Sequence, residues 1–343
     1  MQSDDIDLIN RIQQGMLLLS QTATIPYRYN SRKLVYESDK IKLYHYKAIK
    51  KTAIKTPLLV VFATVNRPEI LDLFPEKSFI GGLLQNGIDV YLLDWGYPDQ
   101  NDSQIAFADY IAIYLKNCVD FITKKHKIRK ISLLGICQGG VISLCYAALY
   151  KKIKNLILIS APIHFKTKEN IVGALLRKVN FDDLIAVTGN VPGKWLTEFF
   201  IFMRPFELIG KKYLKFVSHL NDTDMTANFL TVEKWLHDAP DQPAKAFSEF
   251  VRKFYKENKL IAGKIEINGE KVNLKNLTMP ILNVMAEQDE IVPMSASRAL
   301  KKFAGTKDYT EILFPSGHIG IYVSTKVGKS MTDAIANWLK KKE

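Results

Sequence analysis

Two kinds of apolar spacing alternate along this chain. LLVVFATV (58–65), DVYLLDW (89–95), ISLLG (131–135) and NLILISAP (155–162) are short, nearly unbroken apolar runs closed by Asn, Gly or Pro. Such runs predict strands buried on both faces. Between and after them, residues 69–86, IAFADYIAIYLKNCVDFITKKH (105–126) and VISLCYAALY (141–150) carry apolar residues at helical spacing. Strands alternating with helices predict a mostly parallel sheet with helices on both faces. Upstream, residues 1–20 read as a helix, with Ile6, Ile9, Ile12, Met16 and Leu19 near helical spacing. Two β-like stretches, KLVYESD and IKLYHYKA, follow, then the basic segment KAIKKTAIKTP, which reads as an exposed turn.

The alternation stops at residue 166. Residues 166–260 hold no clear strand and several helix-like segments, among them WLTEFFIFMRPF and FLTVEKWLHDAP. It resumes with MPILNVMAEQD (279–289) and DYTEILFPSGHIG (308–320), each a strand with a loop after it, and a helix over 328–341. The expected division is a core of residues 1–165 and 275–343 and a helical cap of residues 166–274.

The stretch Ile131–Tyr150 has twenty residues without a charge, between KIRK and KKIK. On length alone it would span a membrane. Gly135, Gln138, Gly139 and Gly140 interrupt it, and a buried strand, a tight turn and a buried helix explain it better. No transmembrane segment is expected.

That turn carries the candidate chemistry. Gly135-Ile136-Cys137-Gln138-Gly139 has the form G-x-C-x-G, a nucleophile elbow with cysteine in place of serine. A strand-to-helix turn this sharp crowds the neighbours of its central residue, so small residues are needed two before and two after. The turn lifts the Cys137 sulfur above the sheet, at the start of the next helix, where the dipole favours negative charge. The N–H of Gln138 is then free to face a developing oxyanion, and the loop ATVNRP (63–68) offers the N–H of Val65 as a second donor. The expected fold is that of an α/β-hydrolase.

An elbow needs an acid and then a histidine downstream. Asp289 follows one late strand and His318 the next, each past a carboxyl end, where open α/β sheets bind ligands. Glu287 and Glu290 compete with Asp289 on spacing alone. His318 lies in an apolar loop between two glycines; of the others, His126 and His237 read as solvated helix positions. Cys118 and Cys145 read as packing residues within helices. Asp94 and Trp95, in DWGYPDQ, suit either the site or a turn.

Composition narrows the partners. The 343 residues are 47% hydrophobic, which fits a large folded core and excludes disorder. Lysine and arginine number 48 against 35 acidic residues, a net charge of +13 that attracts phosphate-bearing substrates, anionic lipid or nucleic acid. Lysines are scattered with no nucleic-acid motif, so nucleic acid is not expected. Three cysteines give neither a disulfide framework nor a metal-ligand spacing, which points to a reducing compartment. The start, MQSDDIDLIN, is not a secretory signal.

GICQGG, the Asp289 loop and GHIGIYV (317–323), together with VNRP and YLLDWGYPDQ, resemble the catalytic segments of polyhydroxyalkanoate synthases. The length and the segment DYTEILFPSGHIGIYVS resemble the short catalytic subunit of the class III type. The resemblance runs from about Leu34 to Leu339. It implies Cys137 as nucleophile, His318 as base and Asp289 as the carboxylate, which in the family is thought to help activate the substrate's 3-hydroxyl. It implies a 3-hydroxyacyl-CoA substrate, short-chain 3-hydroxybutyryl-CoA above all, a growing polyester and no cofactor beyond the CoA thioester itself. It further implies a second synthase subunit (PhaE-like, or PhaR-like for class IV), a homodimer, and a cytoplasmic location at the surface of polyester granules. Two rivals stand beside it. An acyl-CoA thioesterase or depolymerase-like hydrolase would share the fold and let water accept the acyl group. A non-catalytic granule coat would not need Cys, Asp and His in elbow order.

Overall fold

The computed structural model describes residues 3–27, 29–51, 54–74, 78–203 and 210–343. The strands are β1 (Lys33–Ser38), β2 (Ile41–Tyr46), β3 (Leu58–Val61), β4 (Val90–Asp94), β5 (Ile131–Ile136), β6 (Ile153–Ile159), β7 (Glu266–Ile267), β8 (Glu270–Lys271), β9 (Ile281–Ala286) and β10 (Tyr309–Phe314). Eight of them form one sheet in the order β1-β2-β4-β3-β5-β6-β9-β10, and β7 and β8 pair separately. β1, β2 and β4 are joined antiparallel, and every other pair in the large sheet is parallel.

The apolar runs are buried because each strand serves two cores. Successive side chains point to opposite faces. Leu59, Val61, Leu133 and Leu158 pack with Ile111, Val119, Ile122 and Val141 on one face. Leu58, Val60, Leu134 and Ile157 pack with Ile80, Leu83, Ile335 and Leu339 on the other. The stretch 131–150 resolves into β5, a turn and the helix Gln138–Leu149. No helix among the described residues is long and apolar enough to cross a membrane.

Two predicted helices are interrupted. The run 69–86 is a 3-10 turn, Pro68–Asp72, and a separate helix, Phe79–Gln85. Buried Asp72 accepts from the Ser78 hydroxyl, and the same hydroxyl accepts the Gly81 N–H, so the second helix starts from its own cap. The segment 105–126 is helical from Phe107 to His126 but is a π-helix over Tyr110–Leu115. The N-terminal helix, Ser3–Ser20, forms as expected. Its stripe of Ile9, Ile12 and Met16 is exposed, while Leu18 and Leu19 pack on Phe216, Leu220 and Leu230.

Between β6 and β7 the named elements are helical: Ile171–Leu176, Phe181–Thr188, Gly193–Phe202, Lys212–Ser218, Thr223–His237, Ala244–Phe250 and a π turn at Val251–Lys256. Phe250, Phe254 and Leu260 belong to the same hydrophobic cluster as one face of the sheet. The later part of the insertion is therefore seated in the main core.

Candidate active site

Cys137 stands between the end of β5 and the first residue of the helix Gln138–Leu149, at φ 54°, ψ −125°. A non-glycine residue with positive φ costs about 1–3 kcal/mol and persists only where its surroundings impose it. Here the Cys137 N–H donates to the Ile159 carbonyl at 3.0 Å and its carbonyl accepts the Gly140 N–H at 2.9 Å. The flanking glycines are a steric necessity. A Cβ on Gly139 would sit 2.3 Å from the Val61 carbonyl oxygen, and one on Gly135 would sit 2.5 Å from the Gly140 Cα.

Asp289 and His318 arrive on neighbouring strands. Past the ends of β9 and β10, the Glu287 N–H donates to the Phe314 carbonyl and the Gln288 N–H to the Ser316 carbonyl, so the two loops leave the sheet joined. His318 Nδ1 then donates to Asp289 Oδ2 at 2.7 Å, while Oδ1 accepts the N–H groups of Ile291 and Val292 at 3.0 and 2.8 Å. Both side chains are buried. Glu287 and Glu290, the competitors on spacing, are exposed.

The Cys137 thiol lies within hydrogen-bond reach of the same ring. Because Nδ1 is committed to Asp289, Nε2 is the nitrogen left for sulfur. Burial alone would lower the affinity of His318 for its proton. Asp289 and Cys137 outweigh it and hold the ring well above the usual histidine range. β6 lies between the strand that ends in Cys137 and the strand that ends in the Asp289 loop. Its last residues touch both sides: Ile159 accepts from Cys137, and the Ser160 N–H donates to the Val284 carbonyl at 2.9 Å.

The other candidates fall into place around this group. The N–H of Val65 takes part in no hydrogen bond among the described residues. Thr64 beside it is tied to the elbow: its N–H donates to Gln138 Oε1 at 3.0 Å, and its Oγ1 lies 2.8 Å from the same atom. Gln138 is thus first in the helix and also grips the opposite loop. Val65 and Ile291 pack against Val172, Val191, Phe247 and Val251 of the insertion, which gives the site an apolar roof.

Asp94 and Trp95 act on the loop below rather than on the site. Asp94 takes the Arg67 guanidinium in a two-pronged pair at 2.7 and 2.8 Å, and Trp95 Nε1 donates to the Phe62 carbonyl at 2.9 Å. Arg67 also pairs with Glu69 at 3.1 Å, and its carbonyl accepts Trp235 Nε1 at 2.7 Å. All of these groups are buried. Burial pushes the Glu69 carboxyl up; Arg67 opposes this and Asp94 adds to it.

Sequence reasoning missed three neighbours. Burial, and then the nearby Cys137 sulfur, push the hydroxyls of Tyr322 and Tyr255 above the usual tyrosine range. Tyr322, one helical turn beyond His318, had a local signal; Tyr255 had none. Gln242, in the insertion, bonds to Thr64. His126 is half-buried and bonded to the Tyr91 hydroxyl at 2.8 Å, so it is not simply solvated, whereas His237 is exposed. Cys118 and Cys145 are fully buried, and burial raises both thiols to about 12. No cluster of His, Cys, Asp and Glu among the described residues is arranged to hold a metal ion.

Known proteins match this arrangement at two levels. Residues 67–325 match the alpha/beta hydrolase fold family, and residues 28–82 match the N-terminus of poly-beta-hydroxybutyrate polymerase (PhaC). A monoacylglycerol lipase from Paleococcus ferrophilus superposes with a TM-score of 0.53 over 88% of this chain and 99% of its own, at 18% identity, which speaks to the fold alone. Poly(3-hydroxyalkanoate) polymerase subunit PhaC of Thiocystis violacea is 44% identical over 97% of this chain and 95% of its own length. The protein of that name from Allochromatium vinosum is likewise 44% identical over 97% and 95%.

Proposed function

Because this chain belongs to the PhaC family of poly(3-hydroxyalkanoate) polymerase subunits and is an acyltransferase of that kind, we propose that its polymerisation runs through a covalent acyl group on Cys137, with His318 as base and Asp289 as its partner. The observation that carries this reading is one ring, His318, bonded to Asp289 through Nδ1 and within reach of the Cys137 sulfur.

His318 takes the Cys137 thiol proton, Sγ attacks the thioester carbonyl of a 3-hydroxyacyl-CoA, and the N–H groups of Val65 and Gln138 meet the oxyanion. The bond from carbon to CoA sulfur breaks, and the proton held by His318 passes to that sulfur. The acyl group moves from one thioester to another, so little free energy is lost and the acyl-cysteine stays reactive. His318 next takes the proton of an incoming 3-hydroxyl, whose oxygen attacks the acyl-cysteine. An ester bond forms and the cysteine sulfur is released. Asp289 orients and charges the ring. Its two oxygens are already engaged by His318, Ile291 and Val292, which supports that role over direct contact with the hydroxyl. Water would end the chain, and the roof formed by residues of the 166–274 cap supports its exclusion.

The substrate is read as short-chain, 3-hydroxybutyryl-CoA, attracted by the net charge of +13. A second synthase subunit, a homodimer and a cytoplasmic granule surface complete the proposal. The hydrolase alternative is not favoured, since the relatives matched over nearly the whole chain carry the name of polymerase. The test is direct. Supplied with 3-hydroxybutyryl-CoA, the protein should release CoA and form insoluble polyester, and Cys137→Ala should abolish both while leaving the circular dichroism and melting temperature unchanged. Turnover by the folded variant would reject the nucleophile.

A further inference from the structure

One buried side chain makes three hydrogen bonds beside the elbow, two of them to Thr64. Gln242 Nε2 donates to the Thr64 carbonyl at 2.9 Å and to the Pro240 carbonyl at 2.9 Å. Its Oε1 lies 2.8 Å from the Thr64 hydroxyl. Its own backbone exchanges two hydrogen bonds with Val191, at 3.0 and 2.9 Å, and the residue is 3% exposed. The two carbonyls fix the orientation of the amide: its NH2 must face them, so its oxygen faces the hydroxyl.

The consequence lies on the other side of the plane. A trans peptide is rigid, so the Thr64 carbonyl and the Val65 N–H point in opposite directions as one unit. Whatever holds that carbonyl aims that N–H. Gln138 Oε1 holds the preceding plane through the Thr64 N–H. Both peptide units that lead into Val65 are therefore gripped, one from the elbow and one from the insertion.

We infer that Gln242 is a positioning residue of the acyl-transfer site: carried by the helical insertion, it orients the Thr64–Val65 peptide so that the Val65 N–H faces the oxyanion formed on Cys137. The inference rests on the proposed roles of Cys137 and Val65. If Gln242 only anchored the insertion, its loss would depress every reaction of Cys137 alike.

Two reactions of the same sulfur separate these cases. Acylation by 3-hydroxybutyryl-CoA passes through an oxyanion. Alkylation by iodoacetamide is a displacement at saturated carbon and forms none. Gln242→Met keeps the length of the side chain and removes its polar atoms. Removing one oxyanion donor outright costs about 10²–10³ in rate, so a donor left loose should cost roughly ten- to a hundredfold in acylation, with alkylation kept within about twofold. Acylation is read as single-turnover CoA release and both modifications by intact mass and peptide mapping on the full chain. Unchanged acylation, or equal losses in the two rates, overturns the inference. Gln242→Glu, which keeps an acceptor for the Thr64 hydroxyl but loses the donor to the Thr64 carbonyl, carries the same measurements if the first variant does not fold. Failure of both to fold would make Gln242 an anchor and overturn the inference too. Mapping of the wild-type acyl group to a residue other than Cys137 is a separate outcome, and it rejects the nucleophile beneath the inference.

Discussion

At the scale of single residues, the site consists of one strained backbone position and one charged ring. His318 binds its proton more tightly in the folded chain than at its ordinary value of 6.5. Its contribution to stability is therefore complete below that pH and is lost as pH rises through the folded value. Asp289 is the chief influence raising it. Asp289→Asn should lower the pH at which the ring gives up its proton, followed by histidine NMR or by the pH profile of Cys137 alkylation; an unmoved midpoint would separate Asp289 from the ring's titration. The elbow is equally local. Gly139→Ala forces a Cβ against two backbone carbonyls and should cost about 3 kcal/mol, the upper end of overpacking, with loss of CoA release. Gly328→Ala, inside the helix Thr325–Lys340 with only ordinary contacts at 3.5 Å, should instead stabilise by about 0.5–1 kcal/mol. Denaturant titration of the pair checks both signs. This local character explains why G-x-C-x-G could be read from sequence. Gln242 could not, because it meets Thr64 across 178 residues and has no motif of its own.

Among elements, the parallel strands were legible because each apolar run fills two cores at once. The break in the run 69–86 was not, since it follows from the cap at Ser78 and the burial of Asp72 rather than from spacing. DWGYPDQ left a site role and a turn role open; in the structure Asp94 and Trp95 brace the loop that carries Val65, a third role that the segment alone does not announce. Two carboxylates share one guanidinium there, and burial pushes the Glu69 carboxyl up. A carboxyl raised in the folded state holds a proton the unfolded chain has lost, so its contribution falls as pH rises from 4.5 toward the folded value. Glu69→Gln should abolish that fall and leave stability at pH 8 equal or higher, as thermal melts across pH would show. Asp94→Ala removes the two-pronged partner of the buried guanidinium and should cost about 3–5 kcal/mol. Similar losses in the two variants would contradict this ranking of the two contacts.

For the whole molecule, the insertion is both roof and support. It packs on Val65 and Ile291, sends Trp235 to the Arg67 carbonyl and Gln242 to Thr64, and seats Phe250 and Phe254 in the main core. Leu18 and Leu19 of the N-terminal helix rest on the insertion. A second subunit that binds these helices has a material route to the acyl-transfer chemistry. The chain purified alone should turn over 3-hydroxybutyryl-CoA poorly and gain activity with a co-expressed partner; full activity in isolation would remove the two-subunit proposal.

One strand without chemistry of its own has the last word on geometry. Asp289 and His318 leave the sheet side by side as a fixed couple, and the Cys137 sulfur leaves it two strands away from the aspartate. The spacer between them is β6, hydrogen-bonded at its tip to both neighbours. It acts as a caliper: the gap from the elbow to the aspartate loop is the width of that strand plus whatever its final residues add. A change at Ile159 or Ser160 would reset that gap without touching any reacting atom.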